Sequence, residues 1–210
     1  MKFLTVNTAG TTTEIAYFDG EKAHFYKDAD GKKASEVLLL EIDRLLNGTP
    51  ISEVDVFACV TGPGSFTGIR IGVNTVKAFC YAQGTPAIGI SYNRALSKAV
   101  KGKSFSVVTG WADNCYVAVY GEKGEEILPP TAMSVEQAVA LRSSSYSDYP
   151  VVIDTANYQE LCKLGAKVVT SPEYLYDATV SAIDGGEQTS GDLISPYYAM
   201  KSQAERDLEK

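Results

Sequence analysis

The sequence predicts an α/β protein of two lobes, each with a mixed β-sheet flanked by helices. The first 100 residues alternate between strand-like and helical apolar patterns in the order β-β-β-α-β-α-β-α. Three successive strands followed by β-α-β units require a sheet with both antiparallel and parallel neighbours. Charge also divides the chain, because residues 1–100 carry 10 basic and 10 acidic side chains, whereas residues 101–210 carry 9 and 16. This asymmetry indicates two lobes with different surroundings.

Each element of the first half has its own local signal. Alternating apolar residues predict strands at 2–7, 13–18 and 23–27, and the Asp19 and Gly20 pair predicts a hairpin turn between the last two. Helical spacing over 35–46 ends at Asn47 and Gly48. The core-facing arc of that helix is predicted to contain Leu38, Leu39, Ile42, Leu45 and Leu46. An apolar run predicts a buried strand at 54–60, and a helix at 69–82, a strand at 87–90 and a helix at 92–100 follow it.

The second half is less regular. We predict strands at 105–109, 115–120, 151–153 and 167–169, and helices at 135–141, 158–164 and 172–183. The predicted organisation is a first lobe at 1–102, a smaller second lobe at 103–195 and a C-terminal tail at 196–210. The sequence shows no internal repeat.

Composition excludes several classes of protein. The 210 residues are 45% hydrophobic and 21% charged, as in an ordinary globular chain that buries a core without disulfides or metals. No apolar run is long enough to span a membrane, and the first residues lack the apolar core of a signal peptide, so we expect a cytoplasmic protein. The net charge of −7 disfavours autonomous nucleic-acid binding, although an acidic surface also simply keeps proteins soluble. The four cysteines form no C-x-x-C pair and are expected to be free core residues.

A Gly/Ser/Thr-rich segment follows the buried strand and precedes a helix. Free amides at such a helix start suit an anion or a nucleotide. The candidate residues of this loop are Gly62, Gly64, Ser65, Thr67, Gly68 and Arg70. No G-K-[ST] follows, and the glycine spacing is not G-x-G-x-x-G, so the segment matches neither phosphate-binding fingerprint. The alternative is a tight turn in which only glycine permits close packing of helix and sheet.

The helix at 69–82 has two apolar stripes, whereas a surface helix needs one. Ile69, Val73, Val76 and Cys80 form the wider arc and are the predicted core residues. The second stripe, together with two residues of the preceding helix, is the candidate partner-binding surface: Val37, Leu40, Ile71, Thr75, Ala78 and Ala82. A helix packed between a sheet and a neighbouring helix of the same chain is the alternative interpretation.

Catalytic patterns are scarce. The single histidine, His24, lies in a strand-like stretch without a nucleophile motif nearby, and one histidine excludes a paired-histidine metal site. Aspartate and glutamate are scattered without a D-x-D or E-x-x-H cluster. We therefore predict no catalytic residue and no metal site in this chain.

Residues 62–72, G-P-G-S-F-T-G-I-R-I-G, resemble the G-P-G-S-F-T-G-x-R-I-G signature of the TsaB (YeaZ) family. Ser35 and Glu36 match the family's H-S-E segment, residues 89–91 its G-[IV]-S segment and residues 116–120 its second-lobe strand, while residues 195–198 with 204–205 match its tail. The resemblance implies an actin-like ATPase fold, related to ribonuclease H, whose lobes open with the element order predicted above.

The sequence departs from the family pattern in four segments. Asn7 replaces the aspartate of an opening D-T-S, and Ala34 replaces the histidine before S-E. Gly110, Trp111 and Ala112 stand in place of D-A-R, and Met200 replaces an arginine in the tail. These changes weaken any nucleotide-binding role of the first lobe and leave the fold assignment unchanged.

The resemblance implies a non-catalytic partner subunit in the synthesis of N6-threonylcarbamoyladenosine at position 37 of tRNA. Such a subunit pairs with the catalytic paralogue TsaD and with the ATPase TsaE, forms a homodimer when isolated and reaches tRNA only through the complex. ATP, ADP and the metal then belong to the partner subunits, and this chain has no cofactor of its own. The alternative is a free-standing actin-like enzyme, either a small kinase or ATPase or a glycoprotease-like peptidase. Such a kinase would need acidic residues at its phosphate loops to hold Mg²⁺.

Overall fold

A computed structural model describes residues 1–199, which contain two five-stranded sheets. The first half forms β1 (Phe3–Asn7), β2 (Glu14–Phe18), β3 (Ala23–Lys27), α1 (Ala34–Leu46), β4 (Val56–Gly62), α2 (Phe66–Gln83), β5 (Ala87–Ser91) and α3 (Tyr92–Ser97), with a 3₁₀ turn at Ile51–Glu53 before β4. The strand order is β3-β2-β1-β4-β5. β1 is antiparallel to β2 and parallel to β4, so the sheet is mixed, as predicted.

The second sheet repeats the topology of the first. Its elements are β6 (Ser104–Thr109), β7 (Asn114–Tyr120), β8 (Glu126–Ser134), α4 (Val135–Ser145), β9 (Val151–Ile153), α5 (Gln159–Lys163) and β10 (Lys167–Val168), in the strand order β10-β9-β6-β7-β8. In both sheets the first strand is central, with an antiparallel meander on one side and parallel strands on the other. The two-lobe α/β architecture is therefore confirmed, and the repetition exists in topology although the sequence does not show it.

Strand β8 was not expected from the sequence. It contains Pro129 and Pro130, which cannot donate to a ladder and argue against a strand interior. The strand lies at the edge of its sheet, and its register with β7 shifts between Leu128 and Thr131, where the two prolines stand. Edge position thus explains why these prolines are tolerated.

The last helix, α6 (Glu173–Asp184), belongs to the core of the first lobe, which corrects the predicted second-lobe range of 103–195. Leu175 and Ala178 of this helix are buried with the first-sheet residues, and the Thr179 and Thr5 hydroxyls lie 2.7 Å apart. The first sheet has two apolar faces, because Val6 of β1 faces α2 while Phe3 of the same strand contacts Tyr176 of α6. Helix α6 follows the second sheet in the sequence and covers this second face of the first sheet.

Helix α3 joins the lobes. The buried Asn93 side chain donates to the backbone oxygens of Ser106 at 3.0 Å and Tyr116 at 2.9 Å, both in the second sheet. The Ser106 hydroxyl in turn donates to the Asn93 carbonyl at 2.9 Å. Buried polar groups that are satisfied only across the lobes fix the position of one lobe against the other.

The loop after β1 packs directly on the start of α2. Ser65 caps this helix, since its Oγ accepts from the Gly68 amide at 3.2 Å, so α2 begins three residues before the predicted start. A Cβ placed on Gly68 would lie 1.8 Å from the Thr8 carbonyl oxygen. The Thr8 hydroxyl donates to the Gly68 carbonyl at 2.7 Å. Only a glycine allows this approach of loop and helix.

No helix within residues 1–199 is both long and apolar enough to cross a bilayer. Cys59, Cys80 and Cys115 are buried, Cys162 is half-buried, and all are free thiols. The described residues therefore hold their two sheets together by packing and hydrogen bonds.

The close contact at Gly68 makes a stability prediction. Alanine normally stabilises a helix interior relative to glycine by about 1 kcal/mol, but here its methyl group would collide with rigid backbone. We expect Gly68→Ala to lower the free energy of unfolding by roughly 2–4 kcal/mol, measured by denaturant titration. Asn74→Ala, at an exposed position of the same helix, is the control and should change it by less than about 0.5 kcal/mol. A Gly68→Ala protein as stable as the parent would contradict the contact.

Asp154, just after β9, gives a pH-dependent prediction. Burial raises the pKa of its carboxyl to about 6, even though the carboxylate accepts from the Thr109 amide at 3.0 Å and hydroxyl at 2.6 Å. Because the folded pKa lies above the unfolded one, this group lowers stability as the pH rises from about 4 to 6. Asp154→Asn keeps the acceptor and removes the charge, so its unfolding free energy should exceed that of the parent at pH 7 by roughly 1–3 kcal/mol and match it near pH 3.5.

The exposed Asp184 on α6 provides the matched control. Asp184→Asn makes the same chemical change at an exposed site and should alter the free energy of unfolding at pH 7 by less than about 0.5 kcal/mol. An Asp154→Asn protein that is less stable than the parent at pH 7 would show that the charged form is the one the fold favours.

Candidate functional site

A buried polar network occupies the start of the loop after β1. The Asn7 amide nitrogen donates to Glu14 Oε2 at 3.0 Å and to the Tyr174 hydroxyl oxygen at 2.9 Å. Its carbonyl oxygen accepts from the Ala9 amide at 3.0 Å, and the Tyr174 hydroxyl donates to the Glu14 carboxylate. All the polar atoms of the Asn7 side chain thus point at groups of the same chain.

Glu14 and Tyr174 were not predicted from the sequence. Glu14 is 3% exposed, and its second carboxylate oxygen forms an ion pair of 2.8 Å with Lys27. Glu14 and Lys27 are paired in the register of β2 and β3. Opposite charges at paired positions of a predicted hairpin were the sequence signal that could have identified Glu14. No local signal identifies Tyr174, because α6 brings it to Glu14 only in the folded chain.

Tyr92 of α3 and Tyr174 of α6 lie together at one side of this network. The rings of Tyr92 and Tyr174 stack with centroids 6.5 Å apart. Burial raises the pKa of both hydroxyls well above the usual value, so both remain neutral at physiological pH. A neutral hydroxyl can both donate and accept a hydrogen bond, and Tyr174 does both with Glu14 and Asn7.

The glycine-rich segment contacts the chain's own backbone. A Cβ on Gly64 would lie 2.3 Å from the Ala9 carbonyl oxygen, and the Ser65 amide donates to that oxygen at 2.7 Å. A Cβ on Gly62 would lie 2.4 Å from the Tyr197 carbonyl oxygen. Thr67 is exposed on the first turn of α2. These contacts favour the tight-turn interpretation, and the anion-binding role stays a prediction.

Arg70, the cation of the predicted anion loop, is engaged by aromatic groups. Its Nε donates to the Tyr198 hydroxyl at 2.9 Å, and its guanidinium carbon lies 4.0 Å from the centre of the Phe66 ring. The Phe66 and Tyr198 rings stack at 4.5 Å. The guanidinium is directed toward the C-terminal segment of the chain.

Other groups offer little chemistry. His24 Nε2 lies 2.6 Å from Asp19 Oδ2 at the β2–β3 turn, apart from the network around Asn7. In the part of the chain that the structure describes, no group of three or more histidine, cysteine, aspartate or glutamate side chains could hold a metal ion. Two buried carboxylates lie near the loop: Glu14 is already bound to Lys27 and Tyr174, and Asp28 accepts from the amides of Asp30 and Lys32. The arrangement is suited to holding the loop in place.

The exposed faces of α1 and α2 carry large apolar side chains. The relevant exposed fractions are 62% for Leu39, 61% for Leu40 and 94% for Tyr81. Ala78 and Ala82 are exposed on α2, Thr75 is half-buried there, and α1 contacts α2. We call Leu39, Leu40, Ala78, Tyr81 and Ala82 the helical face. It contains three of the predicted partner residues and two that were not predicted.

The predicted core stripe of α2 is confirmed, since Ile69, Val73, Val76 and Cys80 are all buried. Val37 and Ile71, two of the predicted partner-surface residues, are not exposed. Val37 is buried, so its assignment to the partner surface is wrong, and Leu39 takes the exposed position instead. The arc of α1 is rotated by about one residue, because its packing against β2 and β3 is set by tertiary contacts. Ile71 is half-buried and packs against the first core.

Among the described residues, the departures from the family pattern lie in three places. Asn7 is at the centre of the buried network, and Ala34 is the half-buried first residue of α1. Trp111 is exposed in the β6–β7 turn, between Gly110 and Ala112, which has a φ of 54°. Met200 and the predicted tail residues 204–205 lie outside the described residues.

Comparison with protein families adds a family assignment. Residues 29–183 match the family model described as TsaD: tRNA N6-adenosine threonylcarbamoyltransferase. The chain is 32% identical over 105 residues to the tRNA threonylcarbamoyladenosine biosynthesis protein TsaB of Haemophilus influenzae, covering 47% of this chain and 44% of that protein. It is 26% identical over 93 residues to the Escherichia coli protein of the same description, covering 43% and 40%. The chain thus matches less than half the length of each of these relatives.

Solved structures agree in fold. A Pseudomonas aeruginosa protein described as similar to peptidase YEAZ superposes with a TM-score of 0.80 at 20% identity, over 95% of this chain and 99% of that one. YeaZ from Pseudomonas aeruginosa gives a TM-score of 0.78 at 21% identity, over 94% and 99%. These likenesses confirm the actin-like fold. The family model covers more than half of the chain, which therefore belongs to the family described as TsaD, and the TsaB relatives confirm the resemblance to TsaB (YeaZ) proteins.

Proposed function

We propose that the chain is a non-catalytic partner subunit in the synthesis of N6-threonylcarbamoyladenosine on tRNA. The relatives described as TsaB support the pathway. The helical face supports the role, because three large apolar side chains stand in solvent on two adjoining helices. Apolar patches of this kind on a folded domain mark a protein-binding surface.

The partner that we propose for this face is a TsaD-like catalytic subunit, which the matched family model makes a relative of this chain. Ala78 and Ala82 are small and would let a partner helix approach closely, while Tyr81 and Leu40 would supply apolar anchors. When that subunit is absent, the same face would serve a homodimer, so the two assemblies should compete. A TsaE-like ATPase would join the pair.

The hydrogen bonds that Asn7 makes at the loop after β1 support the absence of catalysis in this chain. A nucleotide phosphate or Mg²⁺ at this loop would need a free acidic or polar group, but Asn7 and Glu14 are occupied by Tyr174 and Lys27. The residues present do not fit a nucleotide with its metal, so we assign ATP, ADP and metal to the partner subunits. The free-standing kinase, ATPase or peptidase is the less supported alternative.

For the same role we propose that the chain acts in the cytoplasm, together with the tRNA that the complex modifies. The excess of acidic residues in the second half opposes direct phosphate contacts. We therefore propose that tRNA is bound only through the assembled complex.

A charge at the centre of the helical face tests the interface. Ala78→Arg and Ala82→Arg change exposed helix positions, so folding should survive. An arginine left unpaired between apolar side chains should weaken association with the TsaD-like subunit by about 100-fold or more, measured by calorimetry or pull-down. Glu136→Arg, at an exposed position of α4 in the second lobe, is the control and should bind as the parent does. Folded variants that still bind normally would place the interface elsewhere.

A second experiment tests the absence of catalysis. The purified chain, incubated with ATP and Mg²⁺ or with peptide substrates, should release product no faster than a blank without protein. Turnover that disappears in Glu14→Gln, with the fold intact by circular dichroism, would identify Glu14 as a working carboxylate and overturn the proposal.

A further inference from the structure

Residues 187–198 form a strap along the edge of the first lobe. At its start, the Arg94 guanidinium donates two bonds of 2.5 Å to the Glu187 carboxylate. Thr189 and Ala87 then exchange backbone hydrogen bonds of 2.8 and 2.9 Å at the edge strand β5. Farther along, the Tyr197 amide donates to the Thr61 carbonyl at 2.8 Å, at the end of β4. The strap thus runs from α3 to the start of α2.

The far end of the strap is held by the glycine-rich segment. Phe66 and Arg70 contact Tyr198 through ring stacking, a cation–π contact and a hydrogen bond, as described above. Gly62 has no side chain, and this leaves room for the Tyr197 carbonyl. We call Phe66, Arg70 and Tyr198 the latch. This contact explains two signature residues that the proposed partner role leaves without a function.

The middle of the strap forms one wall of a groove beside α2. The groove has a volume of about 1020 Å³ and lies between Lys77, Ala78 and Tyr81 on one side and residues 188–192 on the other. Ala78 and Tyr81 also belong to the helical face, so the groove opens onto the proposed partner surface. Its shape depends on where the strap lies.

The strap covers one thiol. A Cβ on Gly191 would lie 2.6 Å from the Cβ of Cys80, so the strap backbone rests on that residue. Between its anchored ends the strap exposes Leu193, at 68%, and buries Ile194, at 4% exposed, in the core of the first lobe beside Gly89. A segment with one large buried side chain between two anchors can open locally before the domain unfolds, because few contacts must break.

We propose that residues 187–198 are a releasable strap, held by the latch of Phe66, Arg70 and Tyr198, and that the seated strap completes the groove in which the partner helix docks. The second part of this inference, that the seated strap completes a groove for a partner helix, rests on the proposed function. Opening of the strap, which the latch opposes, would withdraw Ile194 from the core, uncover Cys80 and remove one wall of the groove. The signature segment is therefore a receptor for the chain's own C-terminal residues.

Thiol labelling of the full chain tests the latch. Tyr198→Ala removes the stacked ring and the hydrogen bond to Arg70, and it should raise the labelling rate of Cys80 by N-ethylmaleimide about tenfold, the size expected for one aromatic pair and one hydrogen bond in a local opening. Tyr198→Phe keeps the ring and should give a smaller increase. Cys59 and Cys115, buried under the sheets, report global unfolding and should label as slowly as in the parent. Ile127→Ala, at an exposed site on β8, is the control variant.

Two results would overturn the latch. The first is an unchanged Cys80 rate in Tyr198→Ala. The second is an equal rise at Cys59, Cys80 and Cys115 in both Tyr198→Ala and Tyr198→Phe, which would show that the strap opens only with the whole domain.

Partner binding tests the second half of the inference. In Tyr198→Ala, affinity for the TsaD-like subunit should fall about tenfold, whereas Ala78→Arg should remove most binding. If Ala78→Arg weakens binding and Tyr198→Ala does not, the strap has no part in docking and the proposed function stands. If neither variant weakens binding, the helical face itself is not the interface and both ideas fail.

Discussion

The contact between the loop after β1 and the first turn of α2 is the constraint on which the first lobe depends. Thr8 and Ala9 approach so closely that Gly64 and Gly68 cannot carry a side chain. This contact places the end of the central strand directly against the helix and leaves the Asn7 side chain to point to the opposite face. The buried network and the latch then form on either side of the same loop.

The network around Asn7 shows how a divergent residue can be accommodated. An aspartate at this position would bring a second carboxylate next to the buried Glu14. The amide instead donates to Glu14 and Tyr174, and so it changes repulsion into hydrogen bonding. Asn7 therefore connects β1 by a hydrogen bond to α6, which contributes Tyr174.

The two lobes share one plan but contribute unequally. Each sheet begins with its central strand, yet α6 leaves the second half to cover the first sheet, and Asn93 of α3 donates across to the second. The second sheet carries short strands such as β10, with two residues. Because the covering helix and the strap both belong to the C-terminal part of the chain, the first lobe and its proposed binding surface are complete only when the whole chain has folded.

Local patterns in the sequence were sufficient for the elements of the first half, the core stripe of α2 and the family, because periodicity, caps and a specific motif are written in neighbouring residues. These patterns were insufficient where the burial of a side chain or its hydrogen-bond partner depends on residues far away in the sequence. Val37 is buried and Leu39 exposed because the sheet sets the rotation of α1, and Pro129 is tolerated because β8 lies at an edge. The partners of Arg70 and Glu14, Tyr198 and Tyr174, are more than 100 residues away. Tertiary structure alone could bring such pairs together, since hydrogen bonds and ring contacts act over a few ångströms whatever the separation along the chain.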